Sequence, residues 1–248
     1  MSQVNLVCDD ADFVCVWSEL KREAAAYAVK EVALSSFLHA TILDQNDLGS
    51  ALVNHLSEKL SSKDFSALKL RKVLSEALET DPSMVPCIAR DLQAVKQRDP
   101  ACHSHLQCFL YFKGFLAIQT HRFAHALHEA GRDLLAFHLQ SRSSELFGVD
   151  INPAAQIGCG IMLDHATGFV MGETARMGDD CSILQGVTLG GTGKSDEDRH
   201  PKIGDGAKIA AGSVVLKPVP ENCTVAGVPA KPVGGSCGDP AAAMDQGI

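Results

Sequence analysis

Two pairs of neighbouring residues carry side chains suited to acid–base chemistry on a small polar molecule: Asp164-His165 and Arg199-His200. An imidazole titrates near neutral pH, so it can take a proton from a weakly acidic hydroxyl. An arginine guanidinium can hold a carboxylate through two parallel hydrogen bonds. These residue types could serve as a base and as an anion site, but a lone histidine is more often a surface or core residue, so the two pairs alone do not assign a site.

Two other clusters are weaker evidence for a functional site. His121, His125 and His128 follow helical spacing and could line a metal site, but no carboxylate or cysteine completes the set. The stretch from Gly190 to Gly193 lacks the glycine and lysine spacing of a phosphate-binding loop. We therefore expect structural or surface roles for these histidines, no bound metal and no nucleotide hydrolysis.

The charge balance limits the possible partners. The 248 residues carry a net charge of −8, and the sequence pI is about 5.6. The chain therefore lacks the broad basic field that non-specific nucleic-acid binding needs. Its apolar runs are too short for a transmembrane helix, and its acidic N-terminus lacks the basic region of a secretory signal. We expect neither nucleic acid nor a membrane as a partner.

The nine cysteines indicate a reducing compartment. Their number is odd, their spacing is scattered and no Cys-x-x-Cys pair occurs. These features predict neither a disulfide framework nor a zinc site. The sequence therefore favours unpaired cysteines and a cytoplasmic location.

The composition changes near residue 149, so two architectures are expected in one chain. Residues 1–148 hold 4 of the 21 glycines, and Phe169 is the only aromatic residue after position 149. Apolar residues in the first part recur at three- and four-residue steps, which predicts helices. Asp99-Pro100 has the pattern of a helix start, Gly114 that of a close packing contact and Gly131 that of a helix break.

The second part of the chain follows a period of six. Each unit of six predicts a short strand and a tight turn, and three units make one coil of a parallel β-helix. The repeat itself does not determine the hand of the coil. The aliphatic positions, with insertions after the third and the seventh, are Ile151, Ile157, Leu163, Met171, Met177, Ile183, Leu189, Ile203, Ile209 and Val215.

Several stretches resemble the serine O-acetyltransferases, a family of left-handed β-helix acyltransferases. They are 149–153, 162–168, 187–194 and 198–203, together with 110–115 in the helical part. The resemblance covers nearly the whole chain and implies an α+β fold. It implies an α-helical oligomerisation domain over residues 1–148, a left-handed β-helix of hexapeptide repeats over 149–232 and a flexible tail over 233–248.

The resemblance implies transfer of an acetyl group from acetyl-CoA to the hydroxyl of L-serine, which gives O-acetyl-L-serine for cysteine biosynthesis. His165 matches the general base of the family. Asp150 matches its partner, and it precedes His165 by slightly less than one coil, so we expect it to stack within reach of the ring. The matching substrate residues are Asp99 and Asp164 for the amino group, Arg199 for the carboxylate, and His200.

The resemblance also implies a site for acetyl-CoA. The backbone N–H groups of Gly190 and Gly191 are expected to face the reacting carbonyl. The family has about one coil more between Ile203 and the segment 228–231, so this chain spans that part of the cofactor site with fewer residues. The other matching positions are Thr192, Lys208, Ala211, Gly212 and Lys231.

The resemblance finally implies an assembly and its partners. Three β-helices are expected to form a trimer with sites between subunits, and the helical parts are expected to join two trimers into a hexamer. L-Cysteine is the expected feedback inhibitor. The C-terminal Ile248 matches the residue that the family inserts into the active site of O-acetylserine sulfhydrylase.

Two other functions remain open at this stage. A related acyltransferase could acetylate another acceptor, such as a sugar or an antibiotic, although such relatives usually lack the helical part. A non-catalytic β-helix scaffold could bind a partner through its tail, and the lost coil favours that alternative. The presence of Asp150, His165, Arg199 and His200 argues against it, since a scaffold does not need this set.

Overall fold

The computed structural model describes residues 10–191 and 198–234, with side chains described from residue 15 onward. Thr192, Ile248 and the tail beyond residue 234, all considered above, lie outside these ranges. Helices fill the first part of the described chain, and short strands fill the second. Of the helices in these ranges, none combines the length and the apolar composition of a membrane span.

The helical part packs its apolar side chains into one core that continues into the strands. Gly131, with φ of +70°, ends one helix before the next begins and so confirms the predicted break. The helices are α1 (Asp10–Lys30), α2 (Val32–Leu38), a π-helix (His39–Leu43), α3 (Leu48–Leu60), α4 (Ala67–Thr80), α5 (Met84–Arg98), α6 (His105–Tyr111), α7 (Lys113–Glu129) and α8 (Asp133–Phe147).

The segment between α5 and α6 corrects one prediction. Asp99-Pro100 does not begin a helix. Asp99 follows the last residue of α5, and its N–H donates to the carbonyl oxygen of Val95 at 2.9 Å. Proline disfavours helical geometry at the residue before it, which explains why the helix stops here. The next helix begins after Ser104, whose hydroxyl accepts the N–H of Gln107 at 3.0 Å.

The strands form three sheets that the chain visits in turn. Their orders are β1-β4-β7-β10, β2-β5-β8 and β3-β6-β9-β11-β12, and all pairs are parallel except β11 with β12. The strands are β1 (Val149–Ile151), β2 (Gln156–Ile157), β3 (Met162–Leu163), β4 (Phe169–Met171), β5 (Arg176–Met177), β6 (Ser182–Ile183), β7 (Thr188–Leu189), β8 (Lys202–Ile203), β9 (Lys208–Ile209), β10 (Val214–Val215), β11 (Thr224–Gly227) and β12 (Ala230–Pro232).

The chain therefore winds as a parallel β-helix with a three-sided cross-section. The predicted fold class, with a left-handed β-helix, is confirmed. Ile151 lies opposite Met171 and Leu163 lies opposite Ile183, so the aliphatic residues stack in columns inside the prism. Nine of the ten predicted aliphatic positions are buried, and Ile157 packs partly buried against them. The six-residue period is therefore the pattern of the core.

The three edges of the prism carry the turns. Edge A leads from the β1 sheet to the β2 sheet, edge B from the β2 sheet to the β3 sheet, and edge C from the β3 sheet back to the β1 sheet. At edge C, Gly168, Gly186 and Gly212 all have positive φ and repeat once per coil. Glycine tolerates this left-handed backbone at no steric cost, so the turns can be tight.

The helical part packs on the first coil through α5, α7 and α8. Asp91 on α5 is fully buried at this junction. It accepts hydrogen bonds from the backbone N–H of Ile161 at 2.8 Å and from the side chains of Gln119 at 2.8 Å and Arg122 at 2.7 Å. Because a buried carboxylate is costly unless it is paired, this residue ties both parts to one another.

A disulfide also crosses the junction. Cys87 on α5 is bonded to Cys159 in the first coil, with the two Cα atoms 4.7 Å apart. The expectation that the cysteines are unpaired is therefore wrong for these two. They are separated by 72 residues in sequence, and only the docking of α5 on the β-helix brings them together.

Candidate active site

His165 lies in a tight turn at edge C, directly after β3. Its φ is +54°, and the φ of Ala166 is +60°. Two short backbone hydrogen bonds close the turn, from Ala166 N–H to Asp164 O at 2.5 Å and from Thr167 N–H to His165 O at 2.7 Å. Non-glycine residues rarely adopt this conformation, and where they do the strain is often part of a functional site. The turn leaves the His165 side chain 73% exposed.

The first turn of α7 packs against the His165 turn. Gly114 lies against the carbonyl oxygen of Leu163, confirming the close packing contact that was predicted for this glycine. Beside it, the ammonium group of Lys113 donates to the hydroxyl of Thr167. The helical part therefore positions the turn that presents the imidazole.

A cavity of about 470 Å³ opens beside His165. Asp99 from the end of α5 and Asp164 from the turn both line it, so the structure brings these two predicted residues together with His165. Other walls come from the segment after α5 and from the start of α7: they include Ala101, Gln107, Tyr111, Phe112 and Lys113.

Asp164 has an unusual environment for a carboxylate. Its side chain is 10% exposed, and its Oδ2 lies 3.8 Å from Nε2 of His165. Burial raises the pKa of Asp164 above its ordinary value, and the neighbouring carboxylate of Asp99 raises it further, while His165 acts in the opposite direction. Two carboxylates that line one cavity can bind a cation.

Asp150 lies elsewhere in the isolated chain. It stands on β1 between the inward-pointing Val149 and Ile151, and its Oδ1 accepts a hydrogen bond from Nε2 of Gln140 on α8 at 2.6 Å. Within the described residues, the only carboxylate within 4.0 Å of the His165 ring nitrogens is that of Asp164. The predicted pairing of Asp150 with His165 is therefore not formed within one chain.

Arg199 and His200 lie at edge A, just before β8. Nη2 of Arg199 bonds to Oε2 of Glu173 at 2.6 Å, and Nδ1 of His200 lies 2.9 Å from the hydroxyl of Thr174. Burial lowers the pKa of His200, and the positive charge of Arg199 lowers it further. Since His165 lies at edge C, one chain alone does not bring these two predicted residues to it.

The predicted cofactor residues lie in several separate places of the single chain. Gly190 and Gly191 follow β7 at edge A, and Gly191 lies next to His200. Ala211 and Gly212 are exposed at edge C, two coils beyond the His165 turn. The remaining two are Lys208, which is buried on β9, and Lys231, which is exposed on β12.

Edge C has a feature that the sequence analysis did not identify. A Cβ built on Gly168 would lie 3.5 Å from Cα of Gly186, and one built on Gly186 would lie 3.5 Å from Cα of Gly212. The three glycines are therefore stacked and form a column without side chains along the edge, from the His165 turn to Gly212. The insertion between β7 and β8 lies between Gly186 and Gly212, so the three glycines are unevenly spaced in the sequence. The column is therefore not visible as a sequence repeat.

Lys113 and Gln107 also line the cavity, and neither was expected there from the sequence. Lys113 belongs to the stretch 110–115 that carried part of the resemblance, and that was the available signal. Gln107 had no signal of its own, because only the helix cap at Ser104 brings its side chain near residues 101 and 103.

Known proteins similar to this chain match most of its length. The family model described as "Serine acetyltransferase, N-terminal" matches residues 16–120. The serine acetyltransferase of Salmonella typhimurium is 50% identical over 258 aligned positions, which cover 96% of this chain and 94% of that protein. The alignment is longer than this chain of 248 residues, so the relative contains residues that this chain lacks.

Solved structures of similar proteins have the same fold. A serine acetyltransferase from Neisseria gonorrhoeae in complex with serine is 51% identical, with a TM-score of 0.82 over 88% of this chain and 97% of that one. One from Brucella abortus in complex with coenzyme A is 48% identical, with a TM-score of 0.83 over 88% and 95%. A serine acetyltransferase in complex with cysteine is 46% identical, with a TM-score of 0.89 over 95% and 99%.

Proposed function

The chain belongs to the serine acetyltransferase family, and we propose that it transfers the acetyl group of acetyl-CoA to the hydroxyl of L-serine at the cavity beside His165. The observation that carries the proposal is the meeting of an exposed imidazole with two carboxylates, Asp99 and Asp164, in one cavity. An imidazole can activate a hydroxyl, and a carboxylate pair can hold an ammonium group. L-Serine carries both groups.

The reaction needs one group that moves a proton from the serine hydroxyl to the sulfur of CoA. Nε2 of His165 takes the proton of the serine hydroxyl as the oxygen attacks the thioester carbonyl carbon of acetyl-CoA. The carbon–sulfur bond then breaks, the acetyl group stays on the serine oxygen, and the imidazolium returns the proton to the CoA sulfur. Such a base contributes about 10²–10⁴-fold to a rate.

We propose that the site is completed by a second copy of the chain. Arg199 and His200 are suited to the serine carboxylate, but they lie at edge A, whereas His165 lies at edge C. A threefold arrangement of prisms can place edge A of one copy against edge C of the next. The same arrangement brings the backbone N–H groups of Gly190 and Gly191 to the reacting carbonyl, where they can stabilise the oxyanion.

The role of Asp150 remains a prediction. In the isolated chain its carboxylate is bonded to Gln140, and it must leave this bond to reach an imidazole. If it does so in the assembly, it can fix the tautomer of His165 and stabilise the imidazolium.

The helical part supports a further step of assembly. An apolar surface on α1 and α2 is exposed to solvent, and such patches mark contact surfaces. We propose that two trimers meet there to form a hexamer. The exposed residues are Tyr27, Val29, Val32, Leu34 and Phe37.

We propose that the pantetheine arm of acetyl-CoA lies along edge C. The stacked glycines 168, 186 and 212 leave room for an extended chain that ends at His165. Ala211 is exposed next to this column, and the exposed Lys231 can meet the cofactor phosphates. Thr192, also predicted at this site, lies outside the described residues, and Lys208 is buried rather than presented to solvent.

The remaining predictions concern an inhibitor, a location and a protein partner. L-Cysteine differs from serine by sulfur for oxygen, so it can occupy the same carboxylate pair and act as an inhibitor. We also propose a cytoplasmic location, where acetyl-CoA is available, and binding of O-acetylserine sulfhydrylase through Ile248, a residue outside the described ranges. The Cys87–Cys159 disulfide is unusual for a protein in a reducing compartment such as the cytoplasm.

A direct assay tests the proposed function. The full-length protein is incubated with acetyl-CoA and either L-serine, a hexose or an aminoglycoside, and both free CoA and the acetylated product are quantified by mass. We expect O-acetyl-L-serine and CoA in equal amounts, with L-serine preferred. Preferential acetylation of a sugar or an antibiotic would replace the proposal by another acceptor, and CoA release without acceptor acetylation in any mixture would reject it.

A further inference from the structure

Arg98 is the last residue of α5 and directly precedes Asp99. Its side chain is only 11% exposed and reaches edge B of the β-helix. Nη1 donates to the backbone carbonyl oxygens of Gly160 at 3.0 Å and Asp180 at 3.1 Å, and Nη2 donates to Oδ1 of Asp180 at 3.1 Å. One guanidinium therefore binds two successive coils.

The two coils meet Arg98 at equivalent turns. Gly160 has φ of +75° and Asp180 has φ of +57°, so both are corner residues of edge B. Their carbonyl oxygens have fixed positions because the strands on both sides are paired. A planar guanidinium that binds such a pair fixes the end of α5 in both distance and orientation.

The end of α5 needs such an anchor because of the residue that follows. Asp99 lines the cavity together with Asp164, and the pKa of Asp164 is raised by burial and by the charge of Asp99. The two carboxylates repel one another until a cation lies between them. Without an anchor, the segment after α5 can relax by moving Asp99 away from Asp164.

We propose that Arg98 is a positioning residue for recognition of the substrate ammonium group: it holds Asp99 at the distance from Asp164 that an ammonium group can bridge. The inference rests on the proposed function, in which this pair binds the amino group of serine. Arg98 itself does not line the cavity. It acts through the backbone that it shares with Asp99.

A purely structural role for Arg98 predicts a different result, and the chain contains a matched control. Arg90 lies on the same helix and binds the same carboxylate, with Nη2 at 2.9 Å from Oδ2 of Asp180 and Nη1 at 3.3 Å from Oδ2 of Asp179. It is two turns further from Asp99, about 12 Å along the helix axis. Loss of either arginine weakens the junction, but only Arg98 adjoins Asp99, so only its loss should shift the backbone of Asp99.

The experiment compares Arg98→Met, Arg98→Lys, Arg90→Met and Asp99→Asn in the full-length protein. The KM for L-serine, the KM for acetyl-CoA, kcat and the thermal midpoint are measured for each. The ratio of kcat/KM for L-serine to that for 3-hydroxypropanoate, which lacks the amino group, reports on the ammonium site alone.

For Arg98→Met we expect the KM for serine to rise about tenfold, as for the loss of one charge-assisted contact, and the preference for serine over 3-hydroxypropanoate to fall by a similar factor. The KM for acetyl-CoA should stay within about twofold of the parent, because edge C is not altered. Arg90→Met should also lower the thermal midpoint but leave both serine readouts unchanged. Arg98→Lys should recover part of the preference, since one ammonium can replace some of the three hydrogen bonds.

Other outcomes distinguish failure of the positioning role of Arg98 from failure of the proposed ammonium site. If Asp99→Asn raises the KM for serine but Arg98→Met and Arg98→Lys do not, the positioning role is rejected and the proposed site stands. Equal effects of Arg90→Met and Arg98→Met on the serine preference would also reject it, as a general loosening of the junction. If Asp99→Asn leaves the KM for serine unchanged, the assignment of the ammonium site itself fails.

Discussion

Gly114 and Leu163 are in backbone contact across the junction of the two parts: a Cβ at Gly114 would lie 1.8 Å from the carbonyl oxygen of Leu163. The same Cβ would lie 3.3 Å from the Cβ of Ala166, the residue after His165. The first turn of α7 can therefore approach the His165 turn only because residue 114 has no side chain. This contact determines how the helical part positions the base.

We expect Gly114→Ala to impair both stability and catalysis. The added methyl group meets backbone atoms that cannot rotate away, so α7 and the His165 turn must separate, and overpacking of this kind costs about 1–3 kcal/mol. Thermal midpoint and kcat are the measurements. Gly49→Ala in α3 is the control, since its Cβ would meet the end of the flexible Leu78 side chain at 2.8 Å. Equal effects of the two substitutions would contradict the proposed support of the turn.

We expect His165→Ala to reduce kcat by at least about 100-fold while acetyl-CoA binding is retained, because only the base is removed. Turnover is measured by product mass and cofactor binding by calorimetry. His39→Ala is the control, since this exposed histidine lies on the π-helix and bonds to Asp44. Turnover above about a tenth of the parent value would reject the base role. Asp150→Asn should be milder, because it alters orientation rather than removing the base.

We expect Asp164→Asn to increase stability at neutral pH while weakening serine binding. The pKa of Asp164 is raised in the folded protein, so folding disfavours its ionised form. The resulting cost is fully present above the raised pKa and disappears as the pH falls towards the ordinary value of 3.8. The thermal midpoint of the variant should therefore exceed that of the parent at pH 7.5, and the difference should shrink by pH 4. A difference between the two thermal midpoints that grows as the pH falls would contradict a raised pKa of Asp164 in the folded protein.

We expect a thiol reductant to lower the thermal midpoint of the parent more than that of Cys87→Ser. The Cys87–Cys159 bond closes a loop with a sequence separation of 72 residues, and loop entropy gives about 4 kcal/mol for a loop of this size. Cys15→Ser is the control, because Cys15 is unpaired and exposed. It should respond to the reductant as the parent does. An equal response of the parent and Cys87→Ser would show that the bond adds no stability.

The β-helix was predictable because its signal is local. A residue such as Ile209 points inward for a reason contained in its own six-residue unit, and the register then follows from stacking equivalent units. The effect of an insertion between two units is not local, because it changes which residues lie opposite one another in successive coils. Asp150 pairs with Val170, so the first coil is longer than three regular units, and His165 comes three quarters of the way round it. This places the base on edge C instead of directly above Asp150, which is why the predicted pair is not formed in one chain.

The contacts between the two parts were not predictable from patterns. Asp99 and Asp164 line one cavity although they are far apart in sequence, and Cys87 meets Cys159 across a separation of 72 residues. Each meeting depends on how α5 docks on the first coil, through buried groups such as Asp91 that have no periodic signature. The isolated residue types were recognisable as chemically useful, but their distances are set by a packing arrangement that no single segment encodes.

The docking of α5, α7 and α8 on the first coil has a consequence for solubility. Strands β1 and β3 lie at the start of their sheets, and these helices pack against them. An uncovered strand edge presents free N–H and C=O groups that can template the addition of another chain. A repeat array therefore needs a different unit at its end, and the helical part acts as that cap. A fragment that begins at Val149 would expose this end of the prism, and we expect it to stack end to end and aggregate.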